Sequence, residues 1–335
     1  MPLIIEDKCF TTSSDTSCIQ PGRIFESFGQ LKRNSELFID QVQSETVLKS
    51  LDIDSDRVLY VLQQEFATIS PCKNSSNIKY IGSADATTCH IVIMKYSASG
   101  AISLAHLDGA QTFEALQKML IEIHDISRYK FDVAGQKGNV AIAGEEQLNS
   151  PFDIDLFIFG GFVDDKNYSE KLFGEILMSC VKCNDNLNLK LAPCYTLNTT
   201  LVNTVKKPII YGVVVEVVSG EISAALFKNK GPDLHLRHVK IGSDLGVCSC
   251  YDFHKEHVQI PPFTYHPPYY IDQLLSLPDH VYLQYTSTSP QCEPDDFVET
   301  SKGTFRFMLE NPDRKVFENG VRSYVLTSNG VWTLV

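Results

Sequence analysis

A thiol, an imidazole and a hydroxyl can together cleave an amide: the imidazole takes the thiol proton, the sulfur attacks the carbonyl carbon, and the hydroxyl orients the ring. The stretch from Ile81 to Gly109, IGSADATTCHIVIMKYSASGAISLAHLDG, carries that set as Cys89, His106 and Ser83. Two apolar runs, Thr87 to Tyr96 and Ala101 to His106, flank Ser97-Ala98-Ser99-Gly100, a short small-residue connection that predicts a β-hairpin. Antiparallel pairing across that turn makes Cys89 and His106 cross-strand or diagonal neighbours. His90 is expected to face away from the thiol, because successive strand side chains alternate between faces. Ser83 enters from the Gly82-Ser83 turn, where its hydroxyl or its carbonyl can orient the imidazole.

A cysteine in an apolar strand is more often a small buried hydrophobe than a nucleophile, so spacing alone does not decide the matter. The segment GSADATTCHIVIMKYSASGAISLAHLDG resembles the active-site segment of protein N-terminal asparagine amidohydrolases, which remove the side-chain amide of an N-terminal Asn. Further blocks resemble that family in the same order: Tyr60 to Pro71, Phe159 to Asp165, Pro208 to Val213 and Ser287 to Val298. The likeness runs from about residue 58 to 310. It implies that Cys89, the cysteine of the TTC triplet, is the nucleophile. The Cys-to-His spacing is also similar to that of Cys-His glutamine deamidases, which carries His106 and Ser83 over as the base and its orienter. Ala84-Asp85 stands where the family has an acidic pair, and Ala105-His106-Leu107 varies around the histidine. The resemblance further implies an enzyme that works without a cofactor, on proteins or peptides with a free N-terminal Asn. Its product, an N-terminal Asp, would feed arginylation and degradation in the N-degron pathway.

An enzyme that tells a terminal Asn from an internal one must read the free ammonium group, and a desolvated carboxylate is the strongest partner for it. Position nominates Asp85, on the approach to Cys89, and Glu65, in the QQEFA block. The alternatives are that Asp85 caps a turn and that Glu65 is solvated.

The net charge of -12, from 41 acidic and 29 basic residues, argues against binding a phosphate backbone or an anionic membrane surface. Lys206-Lys207, beside Pro208, reads as a solvated strand entry. The opening MPLIIEDKCF has only a short apolar run before its charges, so a cytosolic chain is expected, with its 10 cysteines reduced. The sequons at Asn74, Asn167 and Asn198 then carry no sugar. The longest apolar runs, such as Ile209 to Val218 with Glu216 inside, are far short of a bilayer span.

A chain of 335 residues suggests one large or two ordinary domains. Helical spacing covers Pro21 to Leu51, Thr112 to Ile126 and Asn167 to Lys182, with further helices near Ile271 and from Asp295 to Glu310. Strands are read at Arg57 to Thr68, Phe152 to Phe159, Leu187 to Thr196, Ile209 to Gly220, Ile222 to Phe227 and within Val247 to Ile260. A hairpin closes at Asn329-Gly330. Residues 135–151 read as an inserted loop. Sequential strands without regular βαβ alternation, and without a phosphate loop, favour an α+β fold. The resembling deamidases imply two packed, mostly antiparallel sheets flanked by helices. The expected divisions are a helical appendage over 1–56, a deamidase core over 57–310 and a C-terminal β-hairpin over 311–335, in a monomer.

Other constellations favour blander readings. Cys180-x-x-Cys183 falls in the last turns of a helix and Cys248-x-Cys250 along a strand, neither a zinc knuckle, and no metal is expected. His254-x-x-His257, His235 and His238 read as surface or satisfied histidines, and Asp164-Asp165 as a helix cap. Two alternatives stand beside the N-terminal Asn amidohydrolase: a cysteine deamidase or protease acting on internal residues, and a non-catalytic peptide-binding module.

Overall fold

The computed structural model describes residues 2–136 and 150–335. The inserted loop expected over 135–151 lies largely outside the described residues. Strands of the first half are β1 (Leu3–Ile5), β2 (Lys8–Phe10), β3 (Leu48–Leu51), β4 (Val58–Tyr60), β5 (Glu65–Ile69), β6 (Tyr80–Ser83), β7 (His90–Tyr96), β8 (Ala101–Leu107) and β9 (Asp153–Gly160). Those of the second half are β10 (Asn186–Leu191), β11 (Thr199–Val202), β12 (Val205–Pro208), β13 (Val213–Glu216), β14 (Ile222–Phe227), β15 (Cys248–Ser249), β16 (Tyr251–Asp252), β17 (His257–Ile260), β18 (Arg322–Leu326) and β19 (Trp332–Leu334). The helices are α1 (Ile24–Ser27), α2 (Gly29–Gln43), α3 (Thr112–Gln136), α4 (Tyr168–Lys182), α5 (Leu234–Val239), α6 (Ile271–Ser276), α7 (Asp279–Thr286), α8 (Phe297–Glu310) and α9 (Asp313–Val316).

The fold is α+β, with two main sheets. One is 8-stranded in the order β15-β5-β8-β7-β9-β10-β1-β2, and the other is 5-stranded in the order β3-β14-β13-β6-β4. The middle of the large sheet, β5-β8-β7-β9, is antiparallel as expected, whereas β15, β10 and β1 join its flanks in parallel. A 4-stranded antiparallel sheet, β16-β17-β18-β19, and the hairpin β11-β12 complete the described strands. Residues 1–56, expected as a helical appendage, place β1 and β2 in the large sheet and β3 beside β14 in the smaller one. The C-terminal hairpin β18-β19 pairs through β17.

Several expected elements come out differently: Gly82-Ser83 is the end of strand β6 rather than a turn, and the strand expected over Ile209 to Gly220 is only Val213–Glu216. Arg57 to Thr68 is not one strand. It breaks at Val61 to Gln64, where Gln64 adopts φ 59° and Glu65 N–H bonds Leu62 C=O, so β4 goes to the small sheet and β5 to the large one. Helical spacing also does not persist to Leu51, because β3 ends that stretch. Periodicity shows neither: β4 and β5 are short, fully buried strands that read as one apolar run, and LKSL at β3 is too short and mixed to set a period of its own.

The core is continuous through Ile91 to Met94, Leu104, Ala105, Met119, Ile158, Phe173 and Val213 to Val215. Helix α3 lays Leu116, Met119 and Ile123 against this core, the apolar stripe its spacing predicts. Helix α4 is started by Asp164, as expected of a cap: its carboxylate accepts from the N–H groups of Lys166, Tyr168 and Ser169 at 2.9–3.0 Å. Among the described residues no helix is long and apolar enough to cross a membrane.

Candidate active site

The hairpin registers β7 on β8 with Ile91 opposite His106 and His90 opposite Leu107. Cys89 lies one residue before β7, in a bend rather than on the strand as expected. Asp85 at φ 61° and the bond from Ala86 N–H to Tyr211 C=O turn the chain out of β6 before it enters β7. The parity argument survives the change, because Cys89 precedes Ile91 by two and so falls on the His106 side.

His106 is buried, and its Nδ1 lies 2.9 Å from Ser83 Oγ. That contact joins the two main sheets, since Ser83 ends β6 and His106 sits on β8. Nε2 of His106 has no hydrogen-bond partner among the described residues. Burial pushes the imidazole down to about 4, against the opposing pull of Asp85, Asp108 and Glu65. Burial, with the negative charges of Asp108 and Glu293 behind it, pushes the Cys89 thiol up. The two cavity groups therefore rest as a neutral thiol and a neutral imidazole, not as thiolate and imidazolium. Such a pair can react by general-base catalysis, the proton leaving sulfur as the new bond forms.

Cys89 and His106 both line a cavity of about 930 Å³, and Cys89 keeps partial exposure through it. The space far exceeds one side chain. Its walls come from the loops after β4, β6, β8 and β14, from α4 and α5, and from α7, α8 and their junction. A hydrogen bond of 3.0 Å between Thr88 Oγ1 and Thr288 Oγ1 ties the cysteine bend to that junction.

Behind Cys89 the Gly160-Gly161 pair does what side chains would prevent. A Cβ on Gly160, at φ +88°, would meet the Cys89 carbonyl oxygen at 2.8 Å, and one on Gly161 would meet the His90 ring at 2.5 Å. His90 faces away from the cavity, as expected, and stacks on Phe173 of α4 at 5.8 Å between centroids. Neither of its nitrogens has a partner among the described residues, and burial pushes it down to about 3.

The two acidic candidates part company. Asp85 lines the cavity, with its carboxylate 2.6 Å from Lys230 Nζ, and Lys230 also reaches Asp296 at 3.2 Å. Glu65, expected to be solvated or to meet the substrate ammonium, does neither. It is buried, opposite His106 in the ladder, and gripped by Arg237 Nη2 at 2.5 Å and Lys240 Nζ at 2.8 Å, with Leu62 N–H on the same carboxylate at 3.0 Å. Both oxygens are taken, and the two cations hold its carboxyl well below the usual range. The partners lie on α5 and the turn after it, far away in sequence, which is why local reading could not supply them.

Three cavity residues escaped the sequence reading. Asp108 holds the side-chain amides of Gln63 and Gln64 at 2.7 and 2.8 Å. Lys230 bridges Asp85 and Asp296. Glu293 sits inside the block STSPQCEPDDFV that carried part of the family likeness, which was its one available signal. His238, read as a surface or satisfied histidine, is a cavity wall pushed down to about 4 by burial. Of the cysteine pairs, Cys180 and Cys183 are buried at the end of α4, and Cys248 Sγ accepts from Lys240 Nζ at 3.2 Å. No group of three or more metal-ligating side chains is found among the described residues.

Comparison with known proteins bears on this geometry. The family profile described as protein N-terminal asparagine amidohydrolase matches residues 48–334. The protein N-terminal asparagine amidohydrolases of Sus scrofa and Homo sapiens are each 31% identical over 278 residues, covering 82% of this chain and 83% of theirs. The Arabidopsis thaliana protein of that name is 26% identical over 325 residues, covering 92% of this chain and 87% of its own.

Proposed function

The chain belongs to the protein N-terminal asparagine amidohydrolase family, and from that premise we propose that it converts an N-terminal Asn of a protein or peptide to Asp by way of a Cys89 thioester. The observation that carries the reading is that Cys89 and His106 line one cavity, with the imidazole fixed from behind by Ser83 through Nδ1 and its Nε2 unpartnered among the described residues.

In this mechanism His106 donates its Nδ1 proton to the Ser83 hydroxyl and keeps a lone pair on Nε2. Nε2 takes the Cys89 proton as sulfur bonds to the carboxamide carbon, and backbone N–H groups of the bend before β7 receive the oxyanion. Collapse breaks the C–N bond, His106 returns its proton to the leaving nitrogen, and ammonia departs from a thioester. His106 then draws a proton from water, the hydroxide adds to the thioester carbonyl, and the Cys89 sulfur leaves and is reprotonated. The product is N-terminal Asp. The reaction needs no cofactor, and we place it in a cytosolic monomer.

The test is a peptide panel read by ammonia release and product mass. An Asn-initiated peptide should be deamidated, while its N-acetylated form and a peptide with Asn only inside should not. Equal turnover of the internal Asn would favour an internal deamidase, backbone cleavage a protease, and no turnover a binding module.

A further inference from the structure

Glu293 is a part-buried cavity carboxylate with no cation in contact. It forms no ion pair among the described residues, its direct hydrogen-bond partners are hydroxyls, and Lys230 acts on it only through space. Ser287 and Ser289 both donate to Oε1, and Oε2 accepts no hydrogen bond from the described residues. A part-buried carboxylate with no cation in contact gains more from an incoming ammonium than one already paired. Of the other acidic side chains in the cavity or near the thiol, Glu175 is exposed to solvent and the rest are committed. Asp85 is held by Lys230, Asp108 by two side-chain amides and the Ala110 N–H, and Glu65 by Arg237 and Lys240. Burial pushes the Glu293 carboxyl up, with the negative charge of Asp85 adding to the effect and the two serine bonds and Lys230 opposing it.

Position agrees with charge. Glu293 lines the same cavity as Cys89 and His106 and is close enough for its charge to act on the thiol. The loop that carries it is fastened to the nucleophile's bend: Thr88, next to Cys89, bonds Thr288, next to Ser287, which itself holds Glu293. These hydrogen bonds tie the loop of the carboxylate to the bend of the nucleophile.

We propose that Glu293 receives the α-ammonium of the substrate and is the residue by which a terminal Asn is distinguished from an internal one. This rests on the N-terminal Asn reading above. In it, Asp85 does not touch the substrate but keeps Lys230 from neutralising Glu293.

Glu293→Gln keeps the shape and both serine bonds while removing the charge. With a short Asn-initiated peptide, kcat/KM should fall about thirty- to several-thousand-fold, the usual cost of unpairing one side of a buried charge pair. N-acetylating the peptide should cost the wild type a similar factor and the variant little more. Alkylation of Cys89 by iodoacetamide reports an intact site independently of substrate, and the variant should react at least as fast as the wild type. Three results would overturn the inference: wild-type kcat/KM in the variant, losses from substitution and acetylation that multiply, or, should the Gln variant's thiol no longer alkylate, a Glu293→Ala protein that alkylates normally and still discriminates fully against acetylated peptide. A wild-type enzyme that turns over acetylated and free peptides equally would overturn the N-terminal reading itself, whatever the variant does.

Discussion

Carboxylates stand both behind His106 and in front of it, and the two regions treat them in opposite ways. Behind the ring, Glu65 has two cations and a backbone N–H, all buried with it. In front, Asp85, Asp108 and Glu293 share the cavity with Lys230, and Glu293 has only hydroxyl partners. The back wall is complete by itself and ties α5 to β5, so its charges serve the fold. The cavity is short of positive charge, so its charges are available to a ligand that brings one. A buried carboxylate is thus read by what already answers it, not by its burial.

The sharpest way to break the comparison is to act on both sides of the ring. His106→Ala should lower ammonia release from an Asn-initiated peptide by about a thousandfold, within the range for a general base, while leaving the denaturation midpoint nearly unchanged. Glu65→Ala should do the reverse first: it strands Arg237 and Lys240 and should destabilise the fold by about 3–5 kcal/mol, seen in urea titration. If Glu65→Ala lost activity at full stability, the back wall would belong to the chemistry after all.

Geometry can be perturbed with no charge involved. Gly160→Ala puts a methyl against the Cys89 carbonyl oxygen at a position of positive φ, and the resulting shift of the nucleophile should cost about a hundredfold in kcat. Steady-state kinetics at unchanged KM would check it.

The two buried histidines give the next test. Burial lowers His106 to about 4 and His90 to about 3 from an ordinary 6.5, so between those values and 6.5 the unfolded chain binds protons that the native state refuses. Stability should be full above about pH 6.5 and fall as the pH drops, by about 2 kcal/mol per histidine at pH 5. The smallest effect is expected from His90→Leu. It removes two nitrogens with no partner among the described residues, on the face away from the cavity, so it should roughly halve that pH dependence while ammonia release stays within a few fold.

Much of this arrangement was legible in the sequence. Strand alternation alone separated His90 from His106, and the small-residue turn at Ser97 to Gly100 set the hairpin that the register shows. Asp164 announced the start of α4. What could not be read depends on distant partners. Nothing near Glu65 announces Arg237 and Lys240, and nothing near Thr88 announces Thr288. The break at Gln64 that sends β4 and β5 to different sheets is a left-handed turn at a residue with no strong preference for one. Glu293 lay in a block noticed only as a likeness, because a lone Glu before Pro294 gives no local sign of burial.

The central claim is that Cys89 takes up the acyl group of an N-terminal Asn. Acid quenching of enzyme mixed with excess Asn-initiated peptide, followed by intact-mass and peptide-map analysis, tests it most directly. The account predicts an adduct equal to the peptide less one ammonia, located on Cys89, and neither adduct nor ammonia from Cys89→Ala. An adduct on another residue, or ammonia release at the wild-type rate by Cys89→Ala, would contradict it.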